Sequence, residues 1–244
     1  VHHGLRSTAD DDAELARAIA ARLGAEFSLV HVDVDDGPNL EARARVARRA
    51  ALGPDAMTGH TADDQAETLL LALLRGSGAT GLGAIGPGWR HPILGLRRAE
   101  TQALCDDLHL RVAVDPSNDD PRFRRNRIRH ELMPLLDDIA ERDVTILLTR
   151  TADLLRADDR YLDELAAGID PTDVAQLAAA PRVLGARAIR QWLDHDGYPP
   201  DADTVQRVLT VAAGGAAACE LAGGRRVERR GNRLHLGTTP TPRR

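Results

Sequence analysis

Thr58-Gly59-His60-Thr61-Ala62-Asp63-Asp64-Gln65-Ala66-Glu67-Thr68 is the segment on which the fold turns. The short run Ala56 to Gly59 reads as a strand. Ala62 to Arg75 reads as a helix, with Gly76-Ser77-Gly78 as its stop. A strand that ends beside a histidine and passes straight into a helix is one unit of a parallel α/β layer. Helical spacing puts Asp63, Asp64 and Glu67 near the first turns, each of the two aspartates a surface neighbour of Glu67. Such acids could hold Mg²⁺ on a nucleotide, or bind an ammonium group and take its proton. A structural reading competes. Thr61 with Asp64 makes a capping box, and acids in a first turn complement the helix dipole. That reading covers Asp63 and Asp64 but explains neither His60 nor the third acid at Glu67.

Outward from this segment the first half keeps alternating. Asp11 to Leu23 is helical, with Leu15, Ala18, Ile19 and Leu23 on one stripe. Phe27 to Val34 reads as a strand, Glu41 to Leu52 as an Arg-rich helix, His91 to Leu94 as a strand and Arg98 to Leu108 as a helix. Val112 to Val114 runs extended into Asp115-Pro116-Ser117-Asn118. Gly76 to Gly81 matches a GxGxxG string but follows a helix, so it fails as a dinucleotide loop. His91, His109 and His235 stand isolated and read as core or surface residues. From Glu131 to Val211 nearly everything is helical, interrupted at Pro171, Pro181 and Pro199-Pro200. Cys219 to Leu236 ends the pattern with β-type runs broken at Gly223-Gly224 and Gly231-Asn232. The division is residues 1–136 as an α/β domain and 137–244 as a helical domain ending in a β-hairpin.

Composition narrows the function. The chain has 244 residues and a net charge of −5, which argues against indiscriminate nucleic-acid binding. All 32 basic residues are arginine. Two groups of them stand out: Arg122, Arg124, Arg125, Arg127 and Arg129, then Arg225, Arg226, Arg229, Arg230 and Arg233. Local patches on an acidic protein suit a specific polyanion, and they also suit solvated faces. Arg125 and Arg129 lie one helical turn apart, able to clamp a phosphate bidentately, with Asn126 between them to add a hydrogen bond. Cys105 and Cys219 form no CxxC pair, which fits a reducing, cytoplasmic setting and removes cysteine-based metal sites. No run is long enough for a membrane span, and Val1-His2-His3-Gly4 carries no signal-peptide pattern.

Taken in order, these blocks resemble the tRNA(Ile)-lysidine synthetases, a branch of the PP-loop ATP pyrophosphatases. The matching pieces are Val1-His2-His3-Gly4-Leu5-Arg6, Gly59 to Thr68, Leu74 to Gly78 with Gly81-Leu82, Asp115 to Asn118, and Arg125-Asn126 with Ile128-Arg129-His130 and Pro134. Arg190 to Leu193 and the terminal β segment are similar to the family's first C-terminal domain. The resemblance implies a Rossmann-like parallel sheet followed by a helical, tRNA-binding domain. It also implies a reaction: ATP adenylates the C2 carbonyl of the wobble cytidine in a CAU-anticodon tRNA(Ile), and the ε-amine of free lysine displaces AMP. By the same carry-over His60 belongs at the nucleotide, Asp64 and Glu67 at the lysine amine, and Asp63 at Mg²⁺ or in support. His3, Arg6, Arg125, Asn126 and Arg129 belong with ATP or the tRNA backbone. The family's Ser-Gly-Gly-x-Asp-Ser nucleotide loop does not occur in these residues. The expectation is therefore a family member lacking its first strand and that loop, inactive by itself. A non-catalytic tRNA-binding fragment and a PP-loop tRNA thiolase are the alternatives.

Overall fold

The structure is a computed structural model that describes residues 9–32, 40–113, 115–194 and 199–238. His3 and Arg6 lie outside the described residues. The chain divides into two compact units, residues 1–155 and 156–244. The division falls inside one long helix, whereas residue 136 lies inside the helix Met133–Ala140.

In the first unit, α1 (Ala9–Arg22), α2 (Leu40–Leu52) and α3 (Ala62–Leu73) match the expected helices to within a few residues. They are followed by α4 (Ala79–Leu82), α5 (Arg98–Asp107), α6 (Arg124–Arg127) and α7 (Met133–Ala140), and then by α8 (Val144–Ala167), which crosses the division. Gly76, at φ +72°, ends α3 in the left-handed region that only glycine takes freely. Between α6 and α7 the helix widens into a π-type turn, Ile128–Leu132. Pro134 explains the widening, because it has no N–H to return to the carbonyl four residues back.

The fold class is helix-rich α/β, but three of the expected strands are corrected. Residues 25–30 and 56–60 run without a ladder, and His31 makes only an isolated bridge. His91 to Leu94 is a turn instead: the Leu94 N–H donates to the His91 carbonyl at 3.1 Å, with Pro92 at the position that presets its φ. A strand needs a run of backbone pairs, and among the described residues the 56–60 segment has a single one with the stretch before His91, the Thr58 N–H donating to the Arg90 carbonyl at 2.8 Å. The stripe on α1 has correspondingly little to pack on. No described side chain from residue 10 to 32 is buried, and Leu23 is 63% exposed. The core of this unit gathers instead on α3, where Ala66, Leu69 and Leu70 meet Ile128, Met133, Val144 and Ala152.

The second unit holds α9 (Val174–Ala179), α10 (Arg182–Leu193) and α11 (Ala202–Ala212), then β1 (Ala218–Glu220), β2 (Arg225–Arg230) and β3 (Arg233–Thr238). The strands form one antiparallel sheet in the order β1-β2-β3, so the expected hairpin gains a third strand. Arg230 pairs with Arg233 across a two-residue Gly231-Asn232 turn, with Gly231 at φ +60°. Asp173 and Asp201 cap α9 and α11 by accepting backbone N–H groups. Ile189, Leu193, Val208, Val211 and Val227 meet in a fully buried core. Among the described residues no helix is long and apolar enough to cross a membrane.

Candidate functional site

Three acids of α3 are drawn together with four arginines from two other segments. Asp63 is held by Arg97, whose Nη2 donates to Oδ1 at 3.0 Å, and by the backbone N–H of Arg98, which donates to Oδ2 at 2.7 Å. Arg97 also pairs with Asp143 and donates to the Thr145 hydroxyl at 3.2 Å, tying α3 to the start of α8. Asp64 closes the N-terminus: its Oδ2 accepts the Thr61 N–H at 2.9 Å and the Thr61 hydroxyl at 2.8 Å. Its other oxygen accepts from Arg125 at 3.1 Å and Arg98 at 3.3 Å. One carboxylate thus closes the expected cap and pairs with two arginines.

Glu67 is the centre. Only 1% of the residue is exposed, yet its carboxylate accepts from three guanidiniums. Arg98 Nη2 and Arg129 Nε reach Oε1 at 3.0 and 2.8 Å, while Arg125 Nε and Arg129 Nη2 reach Oε2 at 2.7 and 3.2 Å. Burial alone would push the Glu67 carboxyl up. The hydrogen bonds from Arg129 and Arg125 and the charges of Arg98 and Arg125 outweigh burial and hold it below the ordinary carboxylate value. Asp64 behaves alike: burial raises it, and the Thr61 hydrogen bonds with the Arg125 and Arg98 charges lower it further. Asp63 is lowered against its burial by Arg97 and the Arg98 N–H.

Three guanidiniums (Arg98, Arg125, Arg129) therefore face two carboxylates (Asp64, Glu67), and with Arg97, Asp63 and Asp143 the whole network balances. The carboxylate sits behind them at 2% side-chain exposure, while the arginine side chains keep 23% to 38%. That is a forked cationic surface on a fixed anionic strut, suited to phosphate oxygens. It does not suit a metal. Asp63, expected to serve Mg²⁺, has its oxygens occupied by Arg97 and the Arg98 N–H, and no cluster of three metal-type ligands exists among the described residues.

Asn126 stands apart from its arginine neighbours. Buried at 7% exposure, its amide donates to the Ser117 and Asp120 carbonyls at 2.7 and 2.9 Å, stapling the Asp115–Asp120 loop to α6. His60 lies one residue before the Thr61 cap, its Nδ1 2.6 Å from the Thr58 hydroxyl. Sequence reasoning missed Arg97, Arg98, Thr58 and His91. A signal existed for the first two: they open α5 as its cap and first residue, where a helix dipole repels cations, so they need carboxylates nearby.

The C-terminal arginines do not form one patch, because strand alternation splits them. Arg225 and Arg229 lie on the Val227 side and cap helix ends, donating to the Leu193 carbonyl of α10 at 3.3 Å and the Ala212 carbonyl of α11 at 2.6 Å. Arg226 and Arg230 alternate to the other side and pair with Glu220 and Glu228.

Comparison with known proteins adds two domains and a set of relatives. Residues 1–136 match the model of a PP-loop domain, and residues 173–235 match that of a TilS substrate binding domain. The tRNA(Ile)-lysidine synthase of Nocardia farcinica is 43% identical over 225 residues, covering 86% of this chain and 71% of the relative. The protein of the same name from Cutibacterium acnes is 38% identical, covering 97% of this chain and 80% of its own length. That from Mycobacterium leprae is 42% identical, with 81% and 67% covered.

Proposed function

The chain belongs to the tRNA(Ile)-lysidine synthase family, and on that premise we propose that it uses ATP to ligate lysine to C2 of the wobble cytidine of a CAU-anticodon tRNA(Ile). The PP-loop domain implies ATP use, and the substrate-binding domain implies a tRNA substrate. The observation that carries the chemistry is the buried Glu67 carboxylate holding three partly exposed guanidiniums at fixed positions.

In this reading ATP supplies the adenylyl group that makes C2 electrophilic. Arg98, Arg125 and Arg129 hold phosphate oxygens and offset the negative charge that grows as pyrophosphate departs. Their positions are set beforehand by Glu67, so little reorganisation is needed when charge develops. Lysine must attack as a neutral amine, so its ammonium needs an acceptor for the proton. Asp64 is the better acid for that contact, at 18% side-chain exposure against 2% for Glu67. The ammonium would enter by displacing Arg98 from Asp64. Asp63 acts as a strut for Arg97. Mg²⁺ would then ride on phosphate oxygens and water, not on this carboxylate. Asn126 contributes by holding the Asp115–Asp120 loop against α6, the helix that carries Arg125.

A thiolase would call for a reactive cysteine. Cys105 and Cys219 form no CxxC pair, which weighs against thiolases that use clusters or persulfide relays. The test is rescue of a bacterium depleted of its own lysidine synthase by the gene that encodes this chain, with lysidine scored in its tRNA(Ile). Rescue with lysidine present is expected from the whole gene, whereas residues 1–244 alone, which hold no Ser-Gly-Gly-x-Asp-Ser loop, are expected not to rescue. Expressed protein that binds tRNA without forming lysidine would favour the binding-module reading, and sulfur in the tRNA would favour the thiolase.

A further inference from the structure

Trp89 and Arg90 stand at the tip of a turn that the chemistry above leaves unused. The Gly88 carbonyl accepts the His91 N–H at 2.9 Å, so these two are the central residues of a β-turn, and residues 87 to 90 are all exposed. Arg90 lays its guanidinium over the indole, its Cζ 5.3 Å from the ring centroid and so in cation–π range. The turn is held on the segment that leads into α3. The Thr58 N–H donates to the Arg90 carbonyl at 2.8 Å, and a little further on the Ala62 N–H donates to the Leu96 carbonyl at 2.9 Å.

This exposure is unusual for the chain. It has only two tryptophans, two tyrosines and two phenylalanines in 244 residues. Trp192 packs against the apolar core of the second unit, whereas Trp89 stays 55% exposed and forgoes the large gain that burial of an indole brings. A single exposed apolar side chain is ordinary on a protein surface. An indole fixed on a turn, with a guanidinium against it, offers more: a flat π-face beside a positive charge. An apolar partner would use the face and leave the charge uncompensated. A nucleotide uses both, because its base stacks on the ring while the guanidinium, stacked through its own face, keeps its N–H edge for a phosphate. Bases inside a duplex hide their faces, so the base must be an unpaired one.

We propose that Trp89 and Arg90 form a stacking site for an unpaired base of the RNA substrate, the indole taking the base and Arg90 the adjoining phosphate. The choice of RNA rests on the reading above that the chain acts on tRNA; the fit of the pair to a base does not.

The test uses the product of the whole gene and an RNA hairpin that carries a CAU anticodon loop. Stacking quenches indole emission, and anisotropy of the labelled hairpin reads affinity independently. The hairpin should quench the parent, and that quench should disappear in Trp89→Phe, which keeps an aromatic face and most of the affinity. Trp89→Leu, apolar but without a π-face, should bind roughly 5- to 150-fold more weakly at an unchanged melting temperature. Arg90→Ala should lower the slope of log affinity against log salt by about 0.7. Hairpin bound without a quench, parental affinity in Trp89→Leu, or a parental slope in Arg90→Ala would overturn the site and leave the tRNA reading intact. A melting temperature that falls together with the Trp89→Leu affinity would make the indole structural and overturn it equally. Quenching by ATP alone, with hairpin affinity indifferent to Trp89→Leu, would give the face to adenine and not to RNA. A parent that binds no hairpin would sink this site and the tRNA reading together.

Discussion

Around Glu67 the first unit buries a carboxylate among three arginines; the second packs an apolar core around Val208 and keeps its buried Asp159 paired with Arg187. Glu67 is 1% exposed and surrounded by guanidiniums, whereas Ile189, Leu193, Val208, Val211 and Val227 reach 0% within an apolar cluster. An apolar core tolerates small shifts, because its gain follows area. A buried carboxylate does not, because its desolvation is offset only while every partner stays in place. The first arrangement is a costly way to gain stability and a good way to fix arginines at set positions. The second is what a domain needs to hold its shape. That contrast supports the role proposed for the Glu67 cluster, where one carboxylate holds three arginines.

The largest test of that contrast is Glu67→Ala. It leaves three guanidiniums crowded without their strut, and removal of one partner from a buried pair costs about 3–5 kcal/mol. Denaturant unfolding followed in the first unit should show that loss. A loss below about 1 kcal/mol would mean the cluster behaves as a solvated surface network. Acid should reach the same cluster. The Glu67, Asp64 and Asp63 pKa values are lowered on folding, so their stabilisation is present above the ordinary carboxylate range and disappears as pH falls through the lowered values. The second unit has an exposed counterpart in Asp170. The Thr172 hydroxyl and N–H, then Arg233, depress it from 3.8 to about 2. Its small contribution fades between those values, so acid should cost the first unit, with three carboxylates at stake in its cluster, more stability than the second.

Leu193→Ala comes next, at about 2–5 kcal/mol in the second unit, from lost burial plus a cavity. Unlike the Glu67 variant, it should respond little to salt. Arg229→Ala should cost about 1 kcal/mol through the lost cap on α11, read as a lowered melting temperature of that unit. Smallest in stability is the double replacement of Arg226 and Arg230 by Ala, within about 0.5 kcal/mol of the parent. If this side of the sheet meets tRNA, the slope of log affinity against log salt should fall by roughly 1 to 2. An unchanged slope would make these arginines partners of Glu220 and Glu228 and nothing more.

Much of the site was legible before any coordinates. Spacing alone put Asp63, Asp64 and Glu67 on one stretch of helix and Arg125 beside Arg129, because helical periodicity is a local property. The Thr61–Asp64 cap was equally local. Arg97 and Arg98 escaped notice because their partners lie thirty-one to forty-eight residues away in sequence. His91 was read as isolated for the same reason, being thirty-three residues from Thr58. The C-terminal arginines looked like one patch in sequence. Alternation along β2, together with the two helix ends nearby, divided them into caps and surface pairs.

By itself, the sequence determined the helices, their stops, the Gly231-Asn232 turn and the family, since each follows from short-range patterns or from motifs in order. Tertiary structure decided which charges meet. Whether the α3 acids face water, a metal or arginines depends on the path of the chain from Leu96 to Arg98 and on the widened turn at Ile128–Leu132. The reason is physical. Backbone preferences are settled within a few residues, whereas the state of a buried carboxylate is set by whatever distant groups are packed against it.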